Sequence, residues 1–108
     1  MTFVTDNECE RALDYLRDHS PVVGKLKARA VRMDEERKVA REMAFLAASG
    51  SVAERNAVAV NSEKYRQAIA QLEEATMDYE TARLLWRAAE IKVEVWRSLN
   101  SRANRGHV

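Results

Sequence analysis

The sequence predicts an all-α protein: a helical hairpin with a long C-terminal helix and a short N-terminal helix, built into an oligomeric helical assembly. Three observations carry that expectation. Gly24, Gly50, Gly106 and Pro21 are the only glycines and proline in 108 residues, and Ala, Glu, Arg, Lys and Leu dominate, as in bundles and coiled coils. Ala68, Leu72, Ala75, Tyr79, Ala82, Trp86, Ala89, Val93 and Trp96 recur at spacings of four and three, with small and large side chains alternating. A repeat of 3.5 residues held over four heptads marks a long helix whose apolar seam is buried against another helix. Two capping boxes, Thr5 with Glu8 and Ser51 with Glu54, mark helix starts.

The elements follow in order within a single helical domain, 1–108. The Thr5 box opens a first helix over 6–19, with Cys9, Ala12, Leu13 and Leu16 on one face. Ser20-Pro21 ends it and begins the next, because serine is a good N-cap and proline at the first helical position loses no hydrogen bond. A second helix over 21–48 places Val22, Leu26, Ala30, Met33, Ala40, Ala44 and Ala47 at near-heptad spacing, and Val39, Met43 and Leu46 widen the stripe. Gly24 weakens its first turn by roughly 1 kcal/mol relative to alanine. Ser49-Gly50-Ser51 stops it, with glycine in the left-handed position.

A short helix over 52–60 follows, and Asn61-Ser62 kinks the chain or caps a new start. From there nothing breaks a long helix over 62–99, roughly 57 Å at 1.5 Å per residue. That is more than the second helix can cover, so the first helix or another subunit must cover Trp86, Val93 and Trp96. With Leu72 and Tyr79 these are the candidate oligomer interface. Residues 100–108 read as a basic, partly disordered tail.

No apolar stretch approaches the roughly 20 residues of a membrane span, and the N-terminal Asp6, Glu8 and Glu10 do not resemble a secretion signal. A lone cysteine, Cys9, fits a reducing compartment. The expectation is a cytoplasmic protein that touches no membrane. His19 and His107 have no ligand-spaced neighbours, the paired carboxylates point in different directions around their helices, and no glycine-rich phosphate loop exists. The sequence therefore predicts no enzyme, no metal and no cofactor.

Net charge is +1, but it is distributed in blocks. Residues 1–20 sum to −3, residues 54–82 to −3 and residues 83–108 to +4. Lys25, Lys27, Arg29 and Arg32 occur with no acid between Gly24 and Met33, and Lys25, Arg29 and Arg32 share a helix face at i, i+4, i+7. Cations in such a line can track phosphates along a strand; the alternative is a solvated helix face. Arg97, Arg102 and Arg105 follow Trp96, a combination found on stacking platforms for single strands, although Trp96 also continues the seam.

The tetrapeptide Leu26-Lys27-Ala28-Arg29 and the order of features, a basic helix ending in Ser49-Gly50 and then a long helix rich in aromatic residues, resemble the recombination mediators of T-even phages. In that family the Leu-Lys-Ala-Arg motif holds DNA-binding residues close before a Ser-Gly turn, and the stretch in that place here is Lys38-Val39-Ala40-Arg41. Lys27 with Arg29 and Lys38 with Arg41 are therefore both candidate pairs. The resemblance implies a phage-encoded homo-oligomer that binds single-stranded DNA and contacts a RecA-like recombinase and a single-strand-binding protein in the host cytoplasm. The rival expectation is a helical protein-interaction module, an assembly chaperone, structural subunit or inhibitor, with no nucleic-acid role.

Overall fold

The structure, a computed structural model, describes residues 3–105. It is all-α, with helix α1 over Asp6–Ala47, α2 over Val52–Asn61 and α3 over Glu63–Arg105. Both capping boxes form. The Glu8 amide donates to Thr5 Oγ1 at 3.1 Å, and the Thr5 amide donates back to Glu8 Oε2 at 3.2 Å. Ser51 Oγ accepts from the Glu54 amide at 3.2 Å, with the Glu54 carboxylate returning to Ser51. Gly50 has φ of +106°, the positive region that glycine enters without steric cost.

Ser20-Pro21 does not divide two helices. One helix of 42 residues runs through Pro21 and Gly24. A proline inside a helix removes one backbone bond and crowds the preceding turn, at a cost of about 3 kcal/mol. That cost is offset by what flanks it. Cys9, Ala12, Leu16, His19, Val23, Leu26, Ala30, Met33, Arg37, Ala40 and Ala44 are all buried or half-buried, and their spacing alternates three and four without a slip across the proline. Pro21 itself is exposed, its ring on the water side. The Ser20 hydroxyl bonds the Leu16 carbonyl and accepts from Trp86 Nε1 at 2.9 Å, tying the proline turn to α3.

Three further expectations change. Val39, Met43 and Leu46 do not widen the inward stripe of α1; they are exposed at 55, 62 and 66%, because their angular positions lie outside the heptad phase. Val22 is likewise exposed and Val23 takes the inward place. The helix does not end at residue 99, since Leu99 and Asn100 are half-buried and α3 continues to Arg105. The remainder of the expected tail, 106–108, lies outside the described residues.

The chain divides into two compact units. The first joins residues 3–24 to 81–105. Here α1 and α3 run antiparallel, with Asp6 beside Trp96 and Ser20 beside Trp86. Cys9, Ala12, Ala89 and Val93 form its core, and Val4, Tyr15, Leu16 and Trp96 pack against them. The second is Lys25–Glu80. Within it α1 and α3 are again antiparallel, Arg29 meeting Asp78 at 3.2 Å, and Ala59 and Ala75 are fully buried. Ser62 serves both adjoining helices. As the cap of α2 its amide donates to the Ala59 carbonyl, while its hydroxyl accepts from the Tyr65 amide at 3.3 Å to start α3. Arg55 lies 4.4 Å over the Phe45 ring and donates to the Phe45 carbonyl at 3.2 Å, closing α2 onto the end of α1.

Candidate nucleic-acid interface

Helix geometry separates the basic candidates into two sets. Successive residues turn by about 100°, so Lys25, Arg29 and Arg32 leave one flank of α1, whereas Lys27, Lys38 and Arg41 leave the other. Lys27 and Arg29 of the tetrapeptide diverge by about 160° and cannot grip the same stretch of strand. The first set is brought together: Lys25, Arg29 and Arg32 line one open depression with Ala28, Met33 and Glu36. Arg41 lines a separate, smaller one with Glu42, Phe45 and Asn56.

Carboxylates already engage half of these cations. Arg29 pairs with Asp78 on α3, Arg32 with Glu36 at 3.1 Å, and Lys38 with Glu35 at 3.2 Å and Asp34 at 3.7 Å. Lys25, Lys27 and Arg41 are exposed and have no carboxylate within ion-pair distance among the described residues. Arg37, which the sequence did not single out, sits in the heptad phase of α1 and binds Asp34 at 2.8 Å. The Arg37 hydrogen bond holds the Asp34 carboxyl below its usual range, and Asp34, followed by Tyr65, raises Arg37 in turn. Residues 25–80 carry ten basic and ten acidic side chains, so the line Lys25, Arg29, Arg32 is a local feature on a neutral background.

The aromatic and interface candidates face inward. Trp96 is half-buried and donates through Nε1 to Asp6 Oδ1 at 2.8 Å, so its indole edge is committed to α1, while Arg97 and Arg102 are exposed. The Arg105 side chain lies outside the described residues. Trp86 is half-buried, and Val93, 5% exposed, belongs to the core of the first unit. Of the expected oligomer seam, Val93 and Trp96 pack against α1 of the same chain and Trp86 bonds Ser20 on that helix, while Leu72 and Tyr79 are half-buried in the second unit. His19, the other polar side chain in the α1 heptad, stacks on Tyr15 at 3.8 Å and donates from Nδ1 to the Tyr15 carbonyl at 3.1 Å.

Among the described residues no group of three His, Cys, Asp or Glu side chains could hold a metal ion, and no helix is long and apolar enough to cross a membrane. No protein-family model, curated protein or solved structure matches the chain.

Proposed function

We propose that the chain is a non-enzymatic accessory protein that binds single-stranded DNA as a homo-oligomer, in the manner of the recombination mediators it resembles, assisting a RecA-like recombinase. The observation that supports this reading is the alignment of Lys25, Arg29 and Arg32 along one open flank of α1. Consecutive phosphates can exchange their counterions for such a row. Each subunit contributes a modest patch, and several patches on one strand multiply through effective concentration. Arg29 would remain bridged to Asp78 while donating its outer N–H groups, since a guanidinium has five donors.

A second reading has an observation of its own. The equal numbers of acids and bases in residues 25–80 and the exposed apolar side chains of all three helices, such as Met43, Val58 and Leu84, favour a protein-interaction module with no nucleic-acid role. Salt separates the two. Anisotropy of a labelled single-stranded oligonucleotide, titrated at low and moderate salt, shows steeply salt-dependent binding under the first reading. The Lys25→Ala/Arg32→Ala variant then weakens binding for all base sequences alike and flattens the salt slope by about 0.7 per lost phosphate contact. Loss confined to Lys38→Ala/Arg41→Ala moves the site to the other flank of α1. Absence of binding by the wild type at low salt leaves the interaction module standing.

A further inference from the structure

Helix α3 has two heptad seams. The inner one runs through Ala82, Trp86, Ala89, Val93 and Trp96 and meets α1. Two positions on from these lie Leu84, Ala88, Ile91, Val95 and Ser98, preceded by Thr81, with the same alternation of three and four. A displacement of two residues rotates a side chain by about 160° away from the first seam, so this second strip lies on the opposite face of the helix. Every one of its members is exposed; Leu84 stands at 58%, Ile91 at 44% and Val95 at 39%. Leu85, beside the strip, is 55% exposed. Isolated exposed aliphatics are ordinary, but Leu84, Ile91 and Val95 at heptad intervals, with the small Thr81, Ala88 and Ser98 completing the row, make a seam that a second helix can fill.

We propose that this outer strip, Thr81 to Ser98 on α3, is the surface through which two copies of the chain associate, α3 against α3 in antiparallel orientation. Charge selects both the occupant and its direction. In the antiparallel register that sets Ala88 against Ile91 of the second copy and Leu84 against Val95, large side chains meet smaller ones. The flanking Arg87 then falls opposite Glu94 of the second copy, and two-fold symmetry repeats the pair. On the other flank Leu85 faces the aliphatic stem of Lys92. A parallel arrangement instead sets Arg87 against Lys92, two like charges. Arg87 already bonds Glu94 at 3.2 Å and also Glu90 within its own chain, so the guanidinium is held at the edge of the strip where the second copy's Glu94 arrives.

This surface gives the oligomeric part of the functional reading a location, and it rests on that part alone. Its test contains no nucleic acid, so its failure is distinguishable from failure of DNA binding. Light scattering and sedimentation of the full chain across micromolar concentrations are expected to give an association that Leu84→Glu/Ile91→Glu weakens by at least about 100-fold, the scale set by losing two apolar anchors. Helicity by circular dichroism stays at the wild-type level, because both residues face away from α1. Mixed Leu84→Cys and Val95→Cys chains form an intermolecular disulfide under mild oxidation, and Cys9, 3% exposed, does not compete. A monomeric wild type at the highest concentration, an association indifferent to the double substitution, or a crosslink of Leu84→Cys to its own copy with none to Val95→Cys would overturn the proposal.

Discussion

The two units of this chain are held together by different physics. Residues 3–24 and 81–105 share an apolar core, Cys9, Ala12, Ala89 and Val93, with Trp96 packed against it, and the N–H groups of Trp96 and Trp86 reach Asp6 and Ser20 across long sequence separations. Residues 25–80 bury only two alanines fully. They rely instead on local devices, the Ser51 box, the positive-φ Gly50, the Ser62 double cap, Arg55 on Phe45 and the Arg37–Asp34 pair, and on one ion pair between distant positions, Arg29 with Asp78. A packed core is sensitive to shape and polarity, whereas a capped and charge-laced turn responds to backbone freedom, salt and pH. Each sensitivity can be measured separately.

The largest effect is expected from Val93→Asp. A carboxylate placed among Cys9, Ala12 and Ala89 has no partner, and burying such a charge costs about 4 kcal/mol or more. Amide exchange should lose protection in 6–24 and 81–105 and keep it in 25–80; loss everywhere would show that the units unfold as one. Trp96→Ala follows, at about 2 to 3 kcal/mol for a half-buried indole with one hydrogen bond, read from urea unfolding. Gly50→Val comes next, at about 1 to 3 kcal/mol for a β-branched residue forced to positive φ. Its Cβ would also meet Glu54 Oε2 at 2.7 Å, disturbing the Ser51 box and lowering protection first in α2.

Smaller effects separate the units by charge. Arg29→Ala removes an ion pair exposed on both sides, 41 and 47%, and should cost at most about 1 kcal/mol at low salt and nothing measurable in molar salt; the same salt series leaves Trp96→Ala unchanged. The smallest effect is a titration. The carboxyl of Asp34 is held below its ordinary value by Arg37, with Lys38 contributing, so its contribution is present in full above the unfolded-state value and disappears as pH falls through the lowered one. The stability difference between wild type and Asp34→Asn should therefore vanish under acid, while Val93→Asp, whose new carboxylate is neutralised there, becomes less damaging.

The seam of α3 was legible residue by residue, because alternating alanine with large side chains at 3.5-residue spacing has few other physical meanings. Both capping boxes and Gly50 were legible for the same reason: each is a local motif whose hydrogen bonds close within four residues. The continuity of α1 was not. Ser20-Pro21 and Gly24 are local stop and start signals, and the heptad that overrides them is hidden by its own members His19 and Arg37. A polar residue in a seam looks like the seam's end until a stacking ring or a carboxylate is seen to accommodate it. The basic row was visible in sequence, but its partners were not, since Asp78 lies 49 positions from Arg29. The outer strip of α3 could have been found by continuing the spacing count on the opposite face.

The hydrogen bond from Trp96 to Asp6 joins positions 90 apart, against 49 for Arg29 and Asp78. Synthesis proceeds from the N-terminus, and this difference gives the two units different birth dates on the ribosome. Residues 25–80 can close as soon as Asp78 has emerged, because their turn is built from neighbours. Cys9 and Ala12 meanwhile wait for Ala89 and Val93, exposing the apolar stripe of a nascent helix for the whole interval. A translation pause shortly after Glu80 would lengthen that exposure, and a chaperone that recognises apolar helices would find in residues 6–24 a target that the finished chain then buries.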